Sequence, residues 1–260
     1  MNAKEEKKLL TGTAAFVIIL AISFVAVIGV IVSKSTQEKT VTAEVQSEPV
    51  PEKKTIDRSD FKSADFALID TVKGRIIVEL YPASAPKTVT NFVTLANRGY
   101  YDNIIFHRVV KDFVIQGGDP QGNGGGGESI YGEPFEDEIN AESLGLSEEL
   151  RKMYEELYKF EYRTDIVSHK IEKGTLAMAN QSRANTNTSQ FFIVTGELNG
   201  SLDGKHTAFG RVIEGSDVVQ AINEAPTDGR NERPVELITI KTIITGNSID
   251  EIKGLADKTE

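Results

Sequence analysis

Residues 106–120 read FHRVVKDFVIQGGDP. The runs FHRVV and DFVIQGG are rich in β-branched and aromatic residues, the composition of short strands. On an extended chain, period 2 puts Phe106, Arg108 and Val110 on one face and His107 and Val109 on the other. Taken alone, Arg108 reads as a surface ion-pair partner and Phe113 as a core residue.

Short strand signals recur on both sides of this stretch. FALIDT and RIIVELY flank Val72-Lys73-Gly74, a tight-turn composition between apolar runs that predicts a hairpin. NIIFHRVV, DFVIQGG, GTLAMAN, SQFFIVTG, TAFGRVI and PVELITIKTIIT follow as further strands. Between them, Pro86 opens a segment with helical apolar spacing that Gly99 stops, and residues 217–223 form a second helical stretch. Many short strands with two helices predict a mostly β fold: a closed antiparallel barrel capped by helices at its ends.

Composition narrows the function. The 260 residues are 39% hydrophobic and 26% charged, with no Cys and no Trp. Absent cysteine excludes disulfides, thiolate metal sites and a Cys nucleophile. A formal charge of −10 argues against a nucleic-acid surface, which needs clustered cations. Residues 1–60 balance eight cations with eight anions, while residues 136–165 hold ten acids against four bases.

The amino-terminal part has a different composition. TGTAAFVIILAISFVAVIGVIVS, residues 11–33, is 23 residues without a charge, and as a helix it would rise about 34 Å, enough to cross a bilayer. It exceeds a usual signal h-region and ends without a small-x-small site. We therefore expect a short tail at 1–10, a retained single-pass anchor in the cell membrane at 11–33, and a polar, Pro-containing linker at 34–60. Lysines before the span slightly outnumber those just after it, which places the following domain outside the cytoplasm. Secretion after signal cleavage is the alternative.

The order of FHRVVKDFVIQGGDP, the Gly-rich turn, SIYGEPFEDE, GTLAMAN, NTNTSQFFIVTG and LDGKHTAFGRV resembles the cyclophilin-type peptidyl-prolyl isomerases. The resemblance spans about residues 64–245, within a domain expected at 61–246 and followed by a tail at 247–260. It implies an eight-stranded barrel and catalysis of cis/trans rotation about X-Pro bonds in folding proteins and proline-containing peptides, with no cofactor and no metal. The alternative from another class is a cyclophilin-fold module that binds such segments without turnover.

Isomers at an X-Pro bond differ by under about 1 kcal/mol, but rotation faces a barrier near 20 kcal/mol. A catalyst must hold the proline ring and the flanking peptide and give a hydrogen bond to the prolyl nitrogen as its lone pair localises. A guanidinium, a permanent cation with a rigid fork of donors, suits that role. The resemblance puts Arg108 at the catalytic position with Gln116 orienting it. It gives Phe113 as the wall of the proline pocket, with Val114, Gln190, Phe192 and Leu202 around it and His206 at the rim. Met178, Ala179 and Asn180 would bind the peptide backbone, and Gly124 would edge the groove. Alternation in SQFFIVT supports part of this, separating Gln190 and Phe192 from Phe191 and Ile193. His107 and His169 read as structural. Gly122, Gly124 and Gly127 match G-x-G-x-x-G, but no helix opens there and no phosphate site is expected. The Glu136-Asp137-Glu138 cluster reads as a solvated turn, and the sequons at Asn180, Asn187 and Asn199 as chance.

The sequence departs from the family pattern at four places. Ser201 stands where many cyclophilins have a Trp that contacts cyclosporin, Gln181 replaces a small residue, and Val114 is shorter than the frequent Met. Residues 141–168 are an insertion in which Ser147 can cap a helix running to Tyr162. Its apolar side would pack on the barrel, or Tyr154, Tyr158 and Tyr162 would present a ridge to a partner.

Overall fold

The computed structural model describes residues 58–258. The tail 1–10, the span 11–33 and nearly all of the linker 34–60 lie outside them. Among the described residues no helix is long and apolar enough to cross a membrane.

Eight strands form one sheet: β1 (Phe66–Thr71), β2 (Gly74–Leu80), β3 (Arg108–Val110), β4 (Val114–Gly117), β5 (Thr175–Met178), β6 (Phe191–Val194), β7 (Ala208–Glu214) and β8 (Ile240–Gly246). Their order is β3-β4-β6-β5-β7-β2-β1-β8, and every ladder is antiparallel. The β1–β2 hairpin turns at Val72-Lys73, where Thr71 opposes Gly74 and the glycine takes φ 130°. At the two ends of the order, the segments preceding β3 and β8 are joined by the isolated Ile105–Thr239 bridge. Phe106 N–H donates to the Ile238 carbonyl at 2.9 Å and Ile240 N–H to the Ile104 carbonyl at 2.7 Å. The expected closed barrel is therefore a sheet with a short seam.

Both seam strands are shorter than their sequence signals. β3 starts at Arg108, so Phe106 does not share its face; Phe106 is fully buried in the main core with Val109. At the other side of the seam, Val235 and Leu237 are exposed and the strand begins only at Ile240.

Four helices occur among the described residues, against the three expected there, two on the sheet and one in the insertion: α1 (Pro86–Asn97), α2 (Glu148–Tyr158), α3 (Ser216–Asn223) and α4 (Ile249–Ala256). α1 buries Phe92 against Tyr101, Phe191 and Phe209, with ring centroids 5.3–5.6 Å apart. The carboxy-terminal segment expected as a tail is α4, capped by Ser248, whose hydroxyl accepts from Glu251 N–H. Ile252 and Ala256 are buried against Leu68 and Ile77, the outer face of β1 and β2. Burial of an isoleucine stabilises by about 1.5–3 kcal/mol, enough to hold a short helix in place.

The insertion packs on loops beside the sheet, burying its apolar side with Ile139 and Ala184. Ser147 caps α2 by accepting from Leu150 N–H, but the helix ends at Tyr158 because Lys159 takes a left-handed φ of 64°. Tyr162 falls beyond it, so the four-residue spacing that defined a ridge is lost. Tyr154 is buried with Ile139, Leu144 and Phe160, and the Tyr162 hydroxyl donates to the Gly204 carbonyl. Of the three tyrosines only Tyr158 is exposed.

The Glu136-Asp137-Glu138 cluster is not a solvated turn. Glu136 is exposed and pairs with Lys87, whereas Asp137 and Glu138 are buried. The Glu138 carboxylate accepts the backbone N–H groups of Lys87 (3.0 Å) and Thr88 (2.8 Å). It thereby caps α1, whose own N-cap residue Ala85 has no capping side chain. Arg163, from the insertion, lies 3.4 Å from the same carboxylate.

Candidate functional site

The sheet carries a second apolar cluster, separate from the main core. Val114, Ile171, Ala177, Phe192, Val194 and Ala208 are its buried part, and Phe113, Val110, Ala179, Leu198 and Leu202 pack on it half-exposed. Strand alternation explains the division, since Phe192 lies in this cluster while Phe191 and Ile193 point into the main core. Five expected pocket residues, Phe113, Val114, Ala179, Phe192 and Leu202, are thus brought together.

A chain of polar side chains runs beside the cluster. Arg108 on β3 opposes Gln116 on β4 in register, and Gln116 opposes Phe192 on β6. Arg108 Nη1 lies 3.5 Å from Gln116 Oε1, at the long limit for a hydrogen bond. Gln116 Nε2 donates to Gln190 Oε1 at 3.0 Å, and Gln190 Nε2 donates to the carbonyls of Gly124 (3.0 Å) and Gly126 (2.7 Å). The ends fix both amide orientations: Arg only donates, and a backbone carbonyl only accepts. Each member polarises the next.

The glycine-rich loop is shaped by Asp119, which is almost fully buried. Its carboxylate accepts N–H bonds from Gln121, Asn123 and Gly124 at 2.7–3.1 Å. Burial opposes ionisation, yet these bonds outweigh it and hold the carboxyl below its ordinary range. A Cβ on Gly126 would sit 2.1 Å from Asp119 Oδ1, so no other residue fits. This loop, Pro134, Gln181 and Asn180 line a cavity of about 270 Å³ that opens beside Gln116 and Gln190. A larger cleft, about 560 Å³, lies between Lys170–Lys173 and Glu197–Gly200. Its lining includes none of the expected site residues.

His206 lies edge-on to Phe192, with centroids 5.2 Å apart. Its Nδ1 is 2.9 Å from the Met178 carbonyl, which can only accept, so Nδ1 carries the proton. Burial pushes its pKa down to about 4 and keeps the ring neutral at pH 7. His107 has no hydrogen-bond partner among the described residues, and burial pushes it down also.

Met178 is the clearest displacement from expectation. Its side chain is fully buried in the main core, and the N–H groups of Met178 and Ala179 donate to the carbonyls of Thr207 and Gln190. Those two donors belong to the sheet, not to a ligand. The Asn180 amide donates to the Lys205 carbonyl at 2.8 Å and lies 3.5 Å from the buried Asp137 carboxylate. Asp137 also accepts from Asn185 N–H and the Asn187 amide, which pins the segment behind the groove. Asn187 itself is fully buried, in keeping with a sequon that occurs by chance.

Two residues at the site escaped sequence reasoning. Glu232 forms an ion pair with Arg108 at 2.7 Å, and Arg233 donates to the Gly122 carbonyl at 2.9 Å. Both come from the loop before β8, where no periodicity or motif marks a function.

The sheet thus carries a half-exposed apolar patch with an arginine and two glutamines in a chain beside it. Residues 66–245 match the family model for cyclophilin type peptidyl-prolyl cis-trans isomerase. The chain is 44% identical over 172 residues to a peptidyl-prolyl cis-trans isomerase of Arabidopsis thaliana, covering 66% of this chain and 88% of that one. It is 48% identical over 172 residues to one of Dictyostelium discoideum, covering 66% and 92%. A crystal structure of a cyclophilin type isomerase of Cryptosporidium parvum superposes with a TM-score of 0.58 at 35% identity, over 71% of this chain and 99% of that one. The chain belongs to the cyclophilin family and is a peptidyl-prolyl cis-trans isomerase, acting on proline-containing peptides.

Proposed function

We propose that Arg108 is the catalytic donor and that Gln116 orients it, in a groove walled by Phe113 and Phe192. The observation that carries this reading is the Arg108–Gln116–Gln190 chain lying along an apolar cluster separate from the main core. Phe113, Val114, Phe192, Ala179 and Leu202 take the proline ring and adjoining side chains. Gly124, Asn180 and Gln190 border the path of the flanking peptide, and Met178 acts only through its carbonyl, which holds the His206 ring. As the amide loses resonance its nitrogen gains a lone pair, and a guanidinium donor stabilises that state more than the planar ground state. Each 1.36 kcal/mol of such preference is worth about tenfold in rate. His206 stays neutral and shapes the rim.

The test is isomerisation of a short X-Pro peptide by the full chain beside Arg108→Ala. A loss of at least tenfold in kcat/KM is expected; an unimpaired variant overturns the role of Arg108.

We also propose that residues 11–33 anchor the chain in a cell membrane with the isomerase domain outside the cytoplasm. The support is an uncharged run of 23 residues and the lysines before it. Alkaline carbonate extraction of membranes, with protease added to intact cells, tests both parts. A fully soluble or cleaved product favours secretion instead.

A further inference from the structure

Arg108 is held from two directions, and only one of them belongs to the polar chain described above. Its Nη1 faces Gln116, while its Nε donates to Glu232 Oε2 at 2.7 Å. A guanidinium is a planar fork, so fixing Nε and Nη1 together fixes its plane. With Gln116 alone, at 3.5 Å, the group would turn about its long side chain.

The loop carrying Glu232 is built to hold that carboxylate in place. Asp228 accepts the backbone N–H groups of Arg230, Asn231 and Arg233 and closes the loop on itself. Thr227 bridges to Pro234 across its base. The Glu232 carbonyl accepts from Val109 N–H at 2.7 Å, tying the residue to the strand beside Arg108. Arg233 Nη1, on the Gly122 carbonyl, ties the next residue to the glycine-rich loop. Glu232 has φ 57°, a left-handed conformation that disfavours residues with a side chain. An unfavourable backbone retained at a residue whose side chain touches the catalytic group points to use of that side chain.

We propose that Glu232 is a positioning residue for Arg108: its carboxylate takes the Nε edge and aligns the outer edge of the guanidinium toward Gln116 and the peptide. The inference rests on the assignment of Arg108 as the catalytic donor. It concerns orientation and not stability, because both side chains are more than a third exposed, at 35% and 42%, and such pairs contribute little to folding. Misplacing a catalytic group by about 1 Å costs up to about a hundredfold in rate.

The experiment compares full-length wild type with Glu232→Ala, Glu232→Gln, Arg230→Ala and Arg108→Ala, using a short X-Pro peptide. Arg230 is exposed on the same loop and serves as the control. Expected for Glu232→Ala is a fall of about tenfold in kcat with KM within about twofold and thermal stability unchanged. Glu232→Gln recovers part of the loss, since an amide oxygen still accepts from Nε. The Arg108 Nε–H resonance, slow to exchange in the wild type, exchanges fast in Glu232→Ala. Wild-type kcat in Glu232→Ala, with Arg108→Ala inactive, overturns the positioning role and leaves the catalytic one standing. Activity retained in Arg108→Ala overturns the catalytic assignment itself. A gain in kcat for Glu232→Ala identifies a restraining clamp, and equal losses of stability and kcat in both Glu232 variants identify a structural role; either result overturns the proposal.

Discussion

Replacing Glu138 by Ala removes the cap of α1 and the anchor of Arg163 together. Pro86 occupies the start of the helix and Ala85 offers no side-chain acceptor, so the Lys87 and Thr88 N–H groups depend on this carboxylate, at 3.0 and 2.8 Å. Its side chain is fully buried, and burial pushes its carboxyl up despite these bonds. The charge is therefore costly to bury, and the gain from truncation offsets part of the loss. A helix cap is worth about 0.5–2 kcal/mol, and each hydrogen bond to a charged acceptor about 1.5–3 kcal/mol. After the offset we expect Glu138→Ala to lose about 2–3 kcal/mol. For a domain of this size that lowers Tm by roughly 4–12 °C. Urea denaturation followed by far-UV circular dichroism measures it, with an unchanged m-value showing that the same cooperative unit unfolds. Arg163→Met, singly and with Glu138→Ala, should give a coupling of at least about 0.5 kcal/mol if the insertion braces the helix through this carboxylate. A loss below about 0.5 kcal/mol for Glu138→Ala would refute the capping role, and additive single effects would refute the brace.

Three other outcomes follow from single residues. His206 titrates near 4 in the fold against 6.5 unfolded, so its contribution, about 3 kcal/mol, is complete above pH 6.5 and lost as pH falls toward 4; His206→Gln should flatten the acid limb by up to one proton, and an unchanged slope defeats this. Tyr154→Ala empties the centre of the insertion's apolar cluster and should cost about 3 kcal/mol while activity per folded molecule holds, so unchanged stability in a melting experiment would show that the insertion is not packed as described. Ser201→Trp places an indole at an exposed position beside half-buried Leu202 and supplies the chain's only Trp; tighter cyclosporin binding by fluorescence titration is expected, and unaltered affinity shows that position 201 does not set it.

Alternation made much of the groove legible. Phe191 and Phe192 are adjacent, and period 2 alone sends one to the main core and the other to the opposite face, where it joins the second apolar cluster. The same rule misplaced Phe106, because β3 begins two residues later and alternation holds only where backbone is paired. Asp137 and Glu138 looked solvated because composition records charge and not partners; the partners are N–H groups and amides some 43 to 51 positions away. The α4 helix was missed because eight residues at the end of a chain carry a weak period, and only the face of β1 and β2 makes burial of Ile252 worthwhile.

Local sequence thus determined the strands, the α1 helix, the Ser147 cap and the family, since these depend on periodicity, turn residues and motif order. Tertiary structure decided what surrounds the charges. Arg108 meets Glu232 across 124 positions, and Glu138 meets Arg163 across 25. Pairing of that kind depends on which loops the folded sheet brings together. A one-dimensional pattern holds no such distance, because burial and electrostatics act between neighbours in space.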